Sequence, residues 1–269
     1  MNMNELGYNE QYSALKLKYN ALKERCANMI EIYNHLVNVV GPNLKSKYMM
    51  LIGQFEHRVY ELKIEISKWL RKFTLKQKAL NVGEKPDYVA IDAKLDEEFL
   101  EYQKVIQKHL EEIKAATLLL NAEPLTEEET TAVRAAYLDA VKKLHPDLNP
   151  ELPEAAKNLW NQIQSAHDAK DWSSVKFLAS LVNTVVNGEM DFKASDGMEA
   201  LQTEIDKLND KSVEIHKRTE RLKSTPPYIH EEFLNNEVEV KKRQQQLQLQ
   251  IHELEKIVNE YKELWNHGK

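Results

Sequence analysis

The sequence predicts an all-α protein in which long antiparallel coiled-coil helices flank a smaller helical domain. Three observations carry that prediction. The 269 residues include only 7 glycines and 8 prolines, against 42% hydrophobic and 30% charged residues, a balance rich in helix formers and poor in breakers. Nearly all of the Gly and Pro residues stand between periodic segments, where they act as punctuation. Within the flanking segments the apolar residues alternate spacings of four and three, which keeps a narrow stripe facing one partner helix.

In chain order, a first helix is expected from about Tyr8 to Val40, ending at Gly41-Pro42-Asn43. A second runs from about Leu44 to Leu80, with the stripe Leu51, Phe55, Leu62, Ile66, Trp69 and Phe73, and stops at Asn81-Val82-Gly83. Asp87, just after Pro86, is placed to cap a third helix from Tyr88 to about Leu120, whose seam is Phe99, Tyr102, Ile106, Ile113 and Leu120. Asn121 to Pro124 breaks it, and Thr126 with Glu129 then forms a capping box for the next helix. A weaker box, Asp196 and Glu199, opens the C-terminal region. There the seam is Leu201, Ile205, Leu208, Ser212, Ile215, Thr219 and Leu222. After Ser224-Thr225-Pro226-Pro227 it resumes as Leu247, Ile251, Leu254, Val258, Tyr261 and Trp265. The run Gln244-Gln245-Gln246 reads as a solvated face.

The short connections at Gly41–Asn43 and Thr225–Pro227 favour antiparallel neighbours. The expected organisation is therefore a three-helix coiled-coil region over 1–121, a small domain over 122–190 and a helical hairpin over 191–269. The stripes say that helices pair; they leave open whether the partner lies in the same chain or in a second copy of a homo-oligomer.

Composition also excludes. The net charge is −6 with both signs interleaved, so the basic surplus that a non-specific nucleic-acid binder uses to release counterions is absent. With one cysteine, Cys26, no internal disulfide or Cys-based zinc site can form. Met1 to Glu10 is polar and has no apolar h-region, and no run approaches the roughly 18 apolar residues that span a bilayer. A soluble protein of the reducing cytoplasm, without a membrane partner, is expected. No Gly-rich phosphate loop, Gly-x-Ser-x-Gly or Cys/His nucleophile pair is present, and His230-Glu231-Glu232-Phe233-Leu234 lacks the second histidine of a zinc-protease helix. The chain is expected to be no enzyme and to carry no metal or cofactor.

The segment 126–186 has a different character. Ala136-Tyr137 stands ahead of Lys142-Lys143-Leu144, and His145-Pro146-Asp147 follows, then Asn149-Pro150. A second helix, from about Glu154 to Ala169, carries Trp160, Ile163 and Ala166. Pro146 cannot continue the first helix and biases His145 away from helical geometry, so an imidazole and a carboxylate are presented at the tip of a helical hairpin. Tyr137, Val141 and Leu144 share one helical face, able to pack on Leu159, Ile163 and Ala166 and so hold the tip still. Arg134, Lys142 and Lys143 offer positive charge to an acidic partner groove; the bland reading of these cations is a solvated face.

These residues resemble the J-domain family of co-chaperones over about residues 117–186. In that family a helix with Ala-Tyr leads to His-Pro-Asp, and a second helix carries an aromatic, Ile and Ala at the spacing of Trp160, Ile163 and Ala166. The stretch from Asp171 to about Val185 is similar to the family's last helix. The resemblance implies a DnaK-type chaperone ATPase as partner, with His145, Pro146 and Asp147 as the trigger of its ATP hydrolysis and Lys142 and Lys143 as docking charges. It also implies an adaptor whose coiled coils bind a particular client protein, the identity of which the sequence does not name. The alternative is a structural coiled-coil scaffold whose J domain no longer stimulates. The chain departs from the family's pattern in several places. Thr117 to Leu120 stands in for the first short helix, the helix after Thr126 is about one turn longer, Asp139 occupies a usually basic position, and His167 sits where the family has Tyr. No Gly/Phe-rich linker, zinc-binding repeat or β-rich client-binding region follows.

Overall fold

The structure, a computed structural model, describes residues 3–121, 126–186 and 197–267. Asp196 of the weaker capping box and the break at 122–124 lie outside the described residues, as does the side chain of Leu120. Among the described residues the fold is all-α and contains no strand. No helix among them is long and apolar enough to cross a membrane.

The expected stop at Gly41-Pro42-Asn43 does not occur. Helical backbone continues through α1 (Met3–His35), a π-helical turn (Leu36–Val40), α2 (Gly41–Tyr48), a second π turn (Met49–Gly53) and α3 (Gln54–Asn81). A proline inside a helix lacks the N–H of the ladder and crowds the preceding turn. Here the wider π turn lies directly before Pro42, with the Gly41 N–H bonded five residues back to the Leu36 carbonyl, and it takes up the proline without ending the helix. At the second π turn the Gln244 amide donates to the Leu51 carbonyl at 2.8 Å. Gln244 is therefore a packing residue, whereas Gln245 and Gln246 are solvated as expected.

The remaining elements are α4 (Tyr88–Glu98), α5 (Leu100–Asn121), α6 (Glu127–Leu144), α7 (Glu154–Asp168), α8 (Trp172–Ser180), α9 (Val182–Val185), α10 (Gly197–Lys223), a 3-10 turn (Tyr228–His230), α11 (Glu231–Asn235) and α12 (Glu237–His267). They form two compact units, each built from two separate stretches of chain: Met1–Pro42 with Glu123–Thr225, and Asn43–Ala122 with Pro226–Lys269. This grouping differs from the consecutive division at 121 and 190 read from the sequence.

In the first unit α10 packs along α1. The Cys26 thiol donates to the Leu208 carbonyl at 3.3 Å, Ser212 Oγ to the Met29 sulfur at 3.4 Å, and the Arg218 guanidinium lies 4.5 Å over the Tyr33 ring. The partners rise together in number, so the helices are parallel. The buried residues of α10 are Leu201, Ile205, Leu208, Ser212, Ile215 and Thr219, the stripe that the four-three spacing picks out.

In the second unit α12 packs along α3, again parallel. Arg58 pairs with Glu255 at 2.8 Å and Glu65 with Lys262 at 2.8 Å, and the Trp69 and Trp265 rings stand 6.2 Å apart. The C-terminal helices α10 and α12, expected as one antiparallel hairpin, fall in different units, and each packs along a parallel partner within its own unit. A four-three stripe reads the same in both directions, so periodicity carries no orientation.

Helices α4 and α5 run back along α3, with Lys68 on Asp96 at 2.7 Å and the His109 ring 5.8 Å from that of Tyr60. Asp87 caps α4 by accepting from the Val89 and Ala90 N–H groups at 3.0 Å. The expected single helix is interrupted at Phe99, and the residues buried on α4 are Ile91 and Leu95. Tyr102, assigned to the seam from its spacing, is 46% exposed, whereas Phe99 is buried and Ile106 and Ile113 are half-buried.

Candidate functional site

The region around His145 is built from local rules first. Thr126 Oγ1 accepts from the Glu129 N–H at 3.2 Å and Glu129 Oε2 from the Thr126 N–H at 3.0 Å, so the expected capping box starts α6. The helix ends at Leu144. His145 has φ −66° and ψ 127°, the extended geometry that a following proline requires. The Leu148 and Asn149 N–H groups then donate to the His145 carbonyl at 3.0 and 2.9 Å, and the Asn149 side-chain amide donates to the Lys142 carbonyl at 3.0 Å. Carbonyls left over at the helix end are thereby satisfied. Helix α7 returns after Pro153, and it closes in a Schellman turn with Lys170 at φ 59° and Asp171 N–H on the Ala166 carbonyl at 2.9 Å.

The two helices form the expected hairpin. Tyr137, Val141 and Leu144 of α6 share one buried cluster with Leu159, Trp160 and Ile163 of α7, and Ala166 packs at its margin. Val175 of α8 and Val182 of α9 complete that side. Phe177 of the expected last helix faces out, 64% exposed. The helix that covers α6 is α1, whose Cys26, Ala27 and Ile30 enter the same cluster. The expected stand-in, Thr117 to Leu120, belongs instead to the second unit, where Thr117 Oγ1 donates to the Met50 sulfur at 3.1 Å.

A polar layer joins α1 to the hairpin. The Asn34 amide donates to the Tyr137 hydroxyl at 2.9 Å, and the Asn38 amide meets His167 Nδ1 at 3.2 Å and Asp168 Oδ1 at 2.8 Å. The His167 ring stacks on Tyr137 at 4.1 Å, which accounts for a histidine at a position otherwise suited to an aromatic ring. Burial pushes the Tyr137 phenol up and the His167 imidazole down.

At the tip, Pro146 and Asp147 are exposed and His145 is half-buried. His145 Nδ1 accepts the Asp147 N–H at 3.1 Å, and the ring meets Trp160 edge-on at 5.1 Å. Burial holds the imidazole below the usual histidine range, with Asp147 acting in the opposite sense. The ring is therefore neutral at pH 7 and carries its proton on Nε2, since Nδ1 is an acceptor.

The charges nearby do not form the open positive face expected from α6. Arg134 makes a bidentate pair with Glu31 of α1 at 2.9 and 3.0 Å. Lys142 pairs with Glu24 of α1 at 2.7 Å. Lys143 meets Asp139 at 2.9 Å and Asn183 at 2.8 Å. Asp147 pairs with Lys211 of α10 at 2.8 Å, and Lys23 of α1 donates to the Asn149 side chain at 2.7 Å. Glu24, Glu31 and Lys211 escaped sequence reasoning because they approach the hairpin across long sequence separations, where no local signal reports them. Among the described residues no group of three or more His, Cys, Asp or Glu side chains is placed to hold a metal ion.

No protein-family model, curated protein or solved structure matches the chain.

Proposed function

We propose that residues 126–186 act as a J-type module that docks on a DnaK-type chaperone ATPase and stimulates its ATP hydrolysis, while the long helices bind a specific client or partner protein. The observation that carries this reading is the tip itself. The His145-Pro146-Asp147 sequence stands at the bend of a packed α6–α7 hairpin, with Pro146 and Asp147 open to solvent. A neutral imidazole locked through Nδ1 and packed on Trp160 loses little conformational freedom on docking. The chain itself catalyses nothing in this account; its role is to present the tip in the cytoplasm.

The test is steady-state ATP hydrolysis by a purified DnaK-type protein with the full chain and with its His145→Gln variant. Stimulation by the wild type alone supports the proposal. Equal, unstimulated rates would end it. A pulldown with His145→Gln, which retains the long helices, then identifies the client.

A second reading is favoured by a separate observation, the pairing of Arg134, Lys142 and Asp147 within their own unit. In that reading the hairpin is a structural brace between α1 and α10, and the chain is a helical scaffold. The same ATPase assay separates the two.

A further inference from the structure

Three charges of the hairpin that face a partner under the proposed function are each met by an opposite charge from a long helix. Glu31 and Glu24 of α1 meet Arg134 and Lys142, and Lys211 of α10 meets Asp147. Between Tyr137 and Leu144, Tyr137, Ala140, Val141 and Leu144 are buried and Lys142 is engaged by Glu24, while Asp139 and Lys143 remain partly open to solvent. We propose that α1 and α10 carry a built-in imitation of the ATPase's docking groove, a latch that holds the tip self-occupied until a partner displaces it. This inference rests on the J-type reading and concerns its regulation.

The parts of the latch differ in strength. Glu31 is buried, with its side chain 8% exposed, and its pairing with Arg134 is part of the packing of α1 on α6. In the other two pairs one partner is open to water, Glu24 at 61% and Asp147 at 41%, against 33% for Lys142 and 27% for Lys211, and such partly exposed pairs are weakened by solvent and salt. A docking partner that brings its own acidic groups to Lys142 and a cation to Asp147 replaces these two pairs without unpacking Cys26, Ala27 and Ile30 from the core. The latch therefore opens by exchange of side-chain partners at the tip end, while α1 stays seated. Lys143 lies outside it, being paired with Asp139 of its own helix.

The experiment compares four full-length chains in the ATPase assay, titrated from sub-saturating concentration: wild type, Glu24→Gln with Lys211→Gln, the same pair of changes with His145→Gln, and Lys211→Arg. Removing these two partners is expected to raise stimulation at sub-saturating concentration about three-fold or more, two weak ion pairs being lost. His145→Gln should abolish that gain, and Lys211→Arg, which keeps the charge, should behave as wild type. Glu24 is at the surface and Lys211 is half-buried, where it also meets Glu214 at 3.1 Å, and unchanged thermal melting checks that the fold is retained. If the wild type and the double variant stimulate equally and both depend on His145, the latch is overturned and the J-type reading stands. If no chain stimulates, the J-type reading itself falls.

Discussion

The two units solve the same packing problem with different chemistry. Each pairs two parallel helices, α1 with α10 and α3 with α12, and each covers that pair with further helices. In the second unit the cover is held by the apolar contacts of Ile91, Leu95 and Phe99 and by ion pairs such as Arg71 with Glu98, and the pair itself by Trp265 on Trp69 and Phe73, with Tyr88 of α4 joining the rings. Among the described residues, buried polar groups are more numerous in the first unit, the second holding Ser46. Glu31, Asn149, His167 and Ser212 are all below a tenth exposed. Aromatic packing tolerates small errors of register, whereas a paired buried polar group fixes one arrangement.

The largest effects should come from deleting the apolar anchors. Trp265→Ala is expected to cost about 3–5 kcal/mol and Ile163→Ala about 2–5 kcal/mol, read by urea denaturation. Only Ile163→Ala should also remove ATPase stimulation, because only it supports the hairpin. Loss of stimulation in Trp265→Ala under native conditions would break the division of roles.

Next in size is the contrast between two bidentate arginines. Arg134→Ala leaves the buried Glu31 carboxylate without its partner and should cost about 1–3 kcal/mol. Arg71→Ala removes an exposed, solvent-screened pair and should leave stability nearly unchanged. Equal losses would show that burial of Glu31 adds nothing.

A smaller effect should appear with pH. Burial lowers the pKa values of His35, His145 and His167, all in the first unit, from 6.5 in the unfolded chain. Between the lowered folded values and about 6.5 the unfolded chain binds more protons, so stability is complete above that range and falls as pH drops through it. Amide exchange, corrected for its intrinsic pH dependence, should show α6 and α7 losing protection on acidification to about pH 5. Protection that is constant or rises would contradict the sign. Smallest of all, Lys170→Gly should stabilise by up to about 1 kcal/mol, since glycine holds the left-handed conformation without strain.

The same contrast explains how much the sequence revealed. The α10 stripe, the Asp87 cap, the Thr126–Glu129 box and the bend at Pro146 follow from neighbours within a few residues, and each was legible. The passage of the helix through Pro42 was not, because a π turn is set by the whole local ladder and has no residue signature. The parallel direction of the pairs was hidden because a stripe has no sense. Lys211 on Asp147 and Glu24 on Lys142 depend on how remote helices meet, and nothing near either residue announces the contact. At the tip itself, the hairpin residues could be read from the sequence and the charges that neutralise them could not.

The most direct measurement is single-turnover hydrolysis of ATP bound to a DnaK-type protein, followed after mixing with the full chain or its His145→Gln form. An acceleration seen with the first and lost with the second is the result this account requires. Identical time courses for both, matching the ATPase alone, would contradict it.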